Sequence, residues 1–205
     1  MALSDWDAAC AHLSKRDPIL KRIIRDYRSS VLKPRGAPFL TLARAIVGQQ
    51  ISVKAAQSVW NKLQLAYPEF TPAKLARARV TKLRSCGLSE RKAEYIRDLA
   101  KHFSTGRLDP SDWHSFADDA VIAELTQVKG IGRWTAEMFL MFNLMRPDIL
   151  PLGDVGLLNA IYRHYNDKES MTLSEVGALA ESWRPWRSVA TWYLWRSLDP
   201  IPVQY

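Results

Sequence analysis

The segment from Leu125 to Asp154 contains a Gly-Ile-Gly turn at residues 130–132, between two stretches in which apolar residues recur every three or four positions. That periodicity predicts an α-helix on each side of the turn. Two glycines around one apolar residue favour a tight connection, because glycine adopts positive φ without a steric penalty. The amides of such a turn and the N-terminus of the next helix together form an anion site. The segment therefore predicts a helical hairpin that can bind a phosphate.

This hairpin is followed by a loop that contains two prolines, and then by an acidic residue. Pro147 and Pro151 precede Asp154, which lies in the context PLGDVGLLNA. An aspartate in that context is typical of a helix N-cap. A carboxylate held at a helix start, one helix and one loop beyond a phosphate-binding turn, is also suited to chemistry in a cleft. That spacing favours a functional carboxylate, and the two roles can coexist.

The remaining chain also shows helical periodicity, with turn signals every ten to twenty residues. Ser89 is a predicted N-cap, and KPRGAP at 33–38 is a plausible boundary between lobes. An apolar stripe is formed by Phe39, Leu42, Ala43, Ile46 and Val47, and after an interruption at 48–52 a second helix carries Ala55, Val59 and Leu63 at helical spacing. The sequence shows no strand-length alternation of β-branched residues and no fixed repeat. The predicted fold class is all-α.

Composition and charge limit the classes of function. The chain has 205 residues and a formal net charge of +8, which favours a polyanionic partner, nucleic acid before an anionic membrane. Cys10 and Cys86 match no zinc or redox spacing, and two cysteines exclude a four-cysteine iron–sulfur site. The histidines show no metal-ligand spacing. With a charged beginning and no membrane-length apolar run, we expect a soluble, cytoplasmic protein, associated with the nucleoid if the source is bacterial.

The residues around the turn fit the pattern of a helix-hairpin-helix motif. The fitted positions are Leu125, Val128, Gly130, Ile131, Gly132, Ala136 and Phe139. This motif binds the DNA backbone through main-chain amides, so base sequence is not read. Lys129 and Arg133 flank the turn, where cationic side chains add phosphate affinity. A structural turn with two chance basic neighbours is the alternative, and the number of fitted positions in a basic chain favours phosphate binding.

Four separated motifs together resemble one protein family. The segment 125–154 resembles the signature of the HhH-GPD superfamily of base-excision DNA glycosylases. Three further stretches resemble its 3-methyladenine DNA glycosylase II branch, namely ARAIVGQQIS (43–52), GLSERKAEYI (87–96) and WRPWRSVATWYLW (183–195). The resemblance covers approximately residues 35–198, with the motifs in the family's order.

The resemblance implies a fold and a partner. It implies two helical lobes, approximately 35–143 and 1–34 with 144–205, with a DNA-binding cleft between them and the hairpin at the cleft edge. The form expected is compact, without the N-terminal β domain of longer relatives. The expected partner is double-stranded DNA containing alkylated bases, bound by a monomer that has no membrane partner.

The resemblance also assigns roles to residues. Asp154 takes the position of the catalytic aspartate. Trp134 stands where bifunctional relatives place a Schiff-base lysine, which implies a monofunctional enzyme without β-lyase chemistry. Trp134, Trp195 and Met138 take positions of the base pocket. Gln50 takes the position of the side chain that wedges into the duplex, and the choice between Gln50 and neighbouring Ile51 stays open.

The predicted DNA contacts lie on the hairpin and on residues 50–52, which form the wedge loop. They are Lys129, Gly130, Ile131, Gly132, Arg133, Thr135, Gln50, Ile51 and Ser52. No cofactor and no metal ligand set is expected, apart from a possible monovalent cation at the hairpin carbonyls.

The implied reaction is hydrolytic removal of alkylated purines from DNA. A base must leave the duplex to be reached, and an ionised Asp154 would stabilise the oxocarbenium-like sugar as the cationic base departs. Two alternatives are a non-catalytic helix-hairpin-helix module and a bifunctional glycosylase with lyase activity. The choice among 3-methyladenine, 7-methylguanine, hypoxanthine, ethenoadenine and 1-methyladenine stays open.

Overall fold

The structure, a computed structural model, describes residues 3–199 of the chain. Over that range it contains α-helices, one short 3₁₀ helix and no strand, so the predicted all-α class is confirmed. The α-helices are α1 Leu3–Arg16, α2 Pro18–Asp26, α3 Pro38–Gly48, α4 Val53–Ala66, α5 Pro72–Ala76, α6 Val80–Ser85, α7 Glu90–Ser104, α8 Asp118–Leu125, α9 Arg133–Phe142, α10 Val155–Tyr165, α11 Leu173–Ala180 and α12 Arg187–Leu198. The 3₁₀ helix spans Glu181–Trp183. Within the described range, no helix is long and apolar enough to cross a membrane.

These helices form two compact units. The discontinuous unit comprises residues 3–34 and 140–199, and the continuous unit comprises residues 35–139. The cleft expected between two lobes stays a prediction. The ends of the expected second lobe, residues 1–2 and 200–205, lie outside the described residues.

A buried aspartate organises the discontinuous unit. Asp17 is 5% exposed, and its Oδ1 caps α2 by accepting hydrogen bonds from the amides of Ile19 and Leu20. Its Oδ2 accepts the Tyr165 hydroxyl at 2.7 Å and the Trp183 indole N–H at 2.9 Å. Burial, and then the charge of Asp17, raise the pKa of Tyr165 far above its usual value, so the phenol stays a donor. One carboxylate thus joins α2, the end of α10 and the 3₁₀ helix.

The continuous unit is built around α3 and a chain of aromatic rings. The predicted apolar stripe of α3 is confirmed, because its buried residues are Phe39, Leu42, Ala43, Ile46 and Val47. Phe103 meets Phe39 and Trp113 edge-on, with ring centroids 5.4 and 6.2 Å apart. Offset and edge-on arrangements are the ones that aromatic rings prefer.

The apolar positions expected on α4 are only partly buried, since Leu63 is buried, Val59 is half-buried and Ala55 is exposed. Ser52 caps this helix as its Oγ accepts the amide of Ala55, which is exposed. Trp60 and Leu63 are the buried residues of α4. The small, weakly hydrophobic alanines at the start of the helix gave too little contrast to fix its rotation.

Candidate active site

Asp154 lies directly before α10 and caps it. Its Oδ1 accepts a hydrogen bond from the amide of Leu157 at 2.6 Å and one from the indole Nε1 of Trp195 at 2.8 Å. The predicted cap role is therefore confirmed. The positive end of the α10 dipole also favours negative charge at this position. Two donors on one oxygen fix the orientation of the carboxylate.

Trp195 is itself held in place within the discontinuous unit. Its ring stacks on Phe142 at 6.0 Å with an interplanar angle of 9°. Gly156 lies against both partners, since a Cβ at this residue would be 3.1 Å from Asp154 Oδ1 and 3.4 Å from two atoms of the Trp195 indole. Asp154, Gly156 and Trp195 are thus in close mutual contact.

The start of α12 fixes the loop between α9 and α10. The fully buried Ser188 donates its amide to Pro147 O at 2.9 Å and its hydroxyl to Arg146 O at 2.7 Å. Its Oγ accepts the amide of Ile149 at 2.9 Å. Two residues of α12 therefore hold the segment 146–154 at its ends. Ser188 binds the main chain of residues 146–149, and Trp195 binds the carboxylate of Asp154.

A charged cluster reinforces the same loop. Arg187 donates to Asp148 Oδ1 at 2.7 Å and to its main-chain oxygen at 2.9 Å, and Arg184 donates to Oδ2 at 2.6 Å. Arginine bonds of this kind to a carboxylate are stronger and more directional than neutral hydrogen bonds. Sequence reasoning did not find this cluster, although its arginines lie within the WRPWRS motif.

The hairpin predicted at residues 130–132 is confirmed in the continuous unit, between α8 and α9. Gly130 has φ +84°, and the Tyr95 ring lies where a Cβ would project, so both backbone conformation and space require glycine. The amides of Lys129 and Ile131 are already used, donating to Asp98 Oδ2 at 2.9 Å and to Val128 O at 3.1 Å. The start of α9 is the candidate phosphate contact, because the dipole and the first amides of a helix N-terminus favour a bound anion.

The side chains expected to bind DNA differ in what they offer at the hairpin. Arg133 donates to Glu137 Oε1 at 2.9 Å and to Asp119 Oδ1 at 3.3 Å, so acidic neighbours partly compensate its charge. Lys129 is exposed. Ile131 and Thr135 are 4% and 7% exposed, so their side chains offer little surface to DNA.

The wedge loop lies between α3 and α4. Gln50 is exposed and has φ +58°, and neighbouring Ile51 is 41% exposed. Both candidates for the wedge are therefore accessible, and the choice between them stays open. Ser52 uses its hydroxyl oxygen to cap α4.

The three residues expected in a base pocket have different surroundings. Trp134 is half-buried and Met138 is 8% exposed, both on α9 in the continuous unit. Trp195, in the discontinuous unit, is joined to Asp154 through its indole N–H. The structure thus pairs Trp195 with the carboxylate, and a shared base pocket stays a prediction.

Over residues 3–199, no group of three or more His, Cys, Asp or Glu side chains could hold a metal ion. The monovalent cation expected at the hairpin would need main-chain oxygens, and the oxygen of Gly130 already accepts Gln49 Nε2 at 2.7 Å. That cation stays an expectation.

Comparison with known proteins decides the family. The sequence model of the HhH-GPD superfamily of base excision DNA repair proteins matches residues 43–185. The chain belongs to this superfamily. The assignment made from its four motifs is thereby confirmed.

Proteins that are similar to this chain in sequence or structure carry consistent names. The DNA-3-methyladenine glycosylase 1 of Schizosaccharomyces pombe is 32% identical over 196 residues, 91% of this chain and 85% of that protein. The crystal structure of a DNA-3-methyladenine glycosidase from Bacillus halodurans has a TM-score of 0.82 at 35% identity, over 92% of this chain and 87% of the other. A 3-methyladenine DNA glycosylase of S. pombe in complex with abasic DNA has a TM-score of 0.80 at 29% identity, over 97% and 99% of the two chains.

Proposed function

We propose that the chain is a monofunctional DNA glycosylase that flips alkylated purines out of double-stranded DNA and hydrolyses their N-glycosidic bonds. The observation that carries this proposal is the carboxylate of Asp154, fixed at the start of α10 by the Leu157 amide and the Trp195 indole. Proteins similar to this chain are named as 3-methyladenine glycosylases or glycosidases, and one of them is in complex with abasic DNA.

The carboxylate acts on charge that develops in the sugar. As the C1′–N bond breaks, its electron pair leaves with the base and C1′ acquires oxocarbenium character. The carboxylate of Asp154 stabilises that charge and orients the attacking water, whose oxygen forms the new bond to C1′ while one of its protons passes to the carboxylate and from there to solvent. Because its orientation is fixed before the reaction, little reorganisation accompanies the transition state.

The leaving group explains why no strong general acid is required. Alkylation at N3 of adenine or N7 of guanine places positive charge on the base, so the departing base is neutral. A tryptophan face, that of Trp195 or that of Trp134, would favour a cationic base over a neutral one by about 0.5–2 kcal/mol. That difference is modest, and we expect a broad substrate range in which bond lability supplies much of the selectivity.

DNA is held by the hairpin and opened at the wedge loop. The first amides of α9 contact a phosphate, and exposed Lys129 adds a charge. Flipping a base costs a few kcal/mol, which this binding offsets while Gln50 or Ile51 occupies the vacated space. Trp134 supplies no amine, so the product is an abasic site with an unbroken strand.

The decisive experiment compares Asp154→Asn with the wild type on oligonucleotides that each carry one of the candidate lesions. Abasic sites are detected by alkaline cleavage, and DNA binding is measured in parallel. We expect Asp154→Asn to bind damaged DNA while excision falls by orders of magnitude. The matched control is Asp109→Asn, because Asp109 is an exposed loop residue whose Oδ1 accepts the amide of Ser111, two positions away.

Near-normal turnover by Asp154→Asn would overturn the catalytic assignment. Binding by the wild type without release of any base would favour the non-catalytic module. Strand cleavage, or a borohydride-trapped adduct, would favour the bifunctional alternative.

A further inference from the structure

A lysine on α7 holds the end of α3. Lys92 Nζ donates to the main-chain oxygens of Val47, at 2.9 Å, and of Gln49, at 2.5 Å. Carbonyl groups at the C-terminus of a helix lack intrahelical donors and lie at the negative end of its dipole. An ammonium at this place satisfies two of them and fixes the direction in which the chain leaves α3.

The next contact joins this chain segment to the hairpin. The Gln49 side chain donates from Nε2 to Gly130 O at 2.7 Å, across 81 positions of sequence. Gly130 is itself held by its left-handed backbone and by the Tyr95 ring beneath it. Gln49 is therefore held by its main chain at Lys92 and by its side chain at the hairpin turn.

The residue that follows has an unfavourable backbone conformation. Gln50 has φ +58°, in the left-handed region that non-glycine residues rarely adopt. A strained conformation of this kind persists only where its surroundings determine it. Here Gln49 is fixed on one side, and on the other Ser52 begins α4 as its N-cap. The strain is thus located at the exposed residue expected to enter the duplex.

We propose that Lys92 and Gln49 are positioning residues that present Gln50 in a fixed orientation relative to the phosphate-binding turn. This proposal rests on the proposed function, and it assigns the wedge to Gln50 rather than to Ile51. Contact of the hairpin with a phosphate then places Gln50 at a set distance along the duplex. The wedge loop and the phosphate-binding turn act as one rigid element because the Gln49–Gly130 bond joins them.

Two simpler roles for Lys92 fit the contacts less well. A direct phosphate contact is disfavoured because the half-buried Nζ is directed at two main-chain oxygens. The same geometry disfavours a role as an imine-forming amine. Burial lowers the pKa of Lys92, whereas the two acceptors favour its charged form. The remaining alternative is that Lys92 only stabilises the C-terminus of α3. Experiment can distinguish that role from positioning of Gln50.

The test uses two readouts with variants Lys92→Met, Gln49→Met and Gln50→Ala. The first readout is fluorescence of 2-aminopurine placed opposite a tetrahydrofuran abasic-site analogue, which reports insertion of the wedge without any chemistry. The second is single-turnover excision of one lesion from a duplex and from a single strand, since a single strand needs no wedge. We expect Lys92→Met to lose the fluorescence change and to slow excision from the duplex about tenfold, with less than about a twofold effect on the single strand.

Coupling between residues gives the sharpest comparison. Because Lys92 acts through Gln50, Lys92→Met should cause no further loss in a Gln50→Ala background. Lys92→Arg keeps a cationic donor and should restore most of the signal. The matched control is Lys101→Met, which removes the same charge from an exposed position on the same helix.

The outcomes separate this proposal from the proposed function. A normal fluorescence change in Lys92→Met would overturn the positioning role. So would losses of excision rate that are additive in the Lys92→Met/Gln50→Ala double variant and equal on the duplex and the single strand. A wild type that inserts Gln50 beside the abasic analogue but releases no base would overturn the glycosylase and leave the positioning role standing. Melting temperatures of all variants identify any that fail to fold.

Discussion

The indole N–H of Trp195 donates a hydrogen bond of 2.8 Å to Oδ1 of Asp154. The sequence placed Trp195 in a base pocket, whereas this contact gives it a part in orienting the carboxylate. Its ring is stacked on Phe142, so the donor is held in one orientation. The same tryptophan can hold the carboxylate through its edge and offer a ring face to a base.

Replacement of Trp195 by phenylalanine should separate these two functions. Trp195→Phe keeps an aromatic ring beside Phe142 and removes the donor to Asp154. A hydrogen bond to a charged group contributes about 1.5–3 kcal/mol, so we expect single-turnover excision to fall roughly ten- to hundredfold while affinity for damaged DNA changes little. Trp192→Phe is the control, because Trp192 lies on the same helix and donates to Ser30 O at 2.8 Å. Equal rates for Trp195→Phe and wild type would remove the indole from the mechanism.

Gly156→Ala should disturb the carboxylate without removing any of its partners. The added Cβ would lie 3.1 Å from Asp154 Oδ1, so the carboxylate must move by a few tenths of an ångström, whereas its 3.4 Å distance to the Trp195 ring is an ordinary contact. We expect slower excision at nearly unchanged stability, measured by single-turnover kinetics and thermal melting. Gly177→Ala in α11 is the matched control, since its Cβ would have nothing within 4 Å. Unimpaired excision by Gly156→Ala would show that small displacements of Asp154 are tolerated.

The two basic residues of the hairpin should contribute unequally to DNA binding. Each phosphate contact by a cation adds about 0.9 to the slope of log affinity against log salt. Lys129→Gln should lower that slope by about 1, because the lysine is exposed. Arg133→Gln should lower it less and mainly reduce the melting temperature, because Arg133 pairs with Asp119 and with the buried Glu137. A salt titration of both variants measures the difference, and a larger slope change for Arg133→Gln would contradict it.

Asp17→Asn should destabilise the protein at a place remote in sequence from the hairpin. The carboxylate accepts four hydrogen bonds, from Ile19, Leu20, Tyr165 and Trp183, and an amide group cannot accept all of them. We expect a loss of about 1–3 kcal/mol, which corresponds to about 2–4 °C in melting temperature for each kcal/mol. Asp109→Asn, an exposed change of the same type, should melt with the wild type. Equal melting of both variants would contradict the assigned role of Asp17.

The successful sequence predictions used local signals. The stripe of α3, the cap at Ser89 and the glycine turn before α9 each depend on residues within a few positions of one another. The face of α4 was predicted only in part because alanines near its start carry little hydrophobic contrast with their polar neighbours. Arg133 was expected to bind DNA. Its partner Glu137 lies four positions along the same helix, whereas its partner Asp119 on α8 is 14 positions away and depends on the tertiary structure.

The sequence by itself determined the all-helical class, the glycine turn and the position of Asp154 at a helix start. These features follow from side-chain periodicity and backbone preference, which act over one or two helical turns. The tertiary structure decided which residues support them. Trp195 reaches Asp154 from 41 positions away, and Gln49 reaches Gly130 across 81. Such pairs form because helices pack in particular orientations, and local periodicity carries no information about the orientation of distant helices.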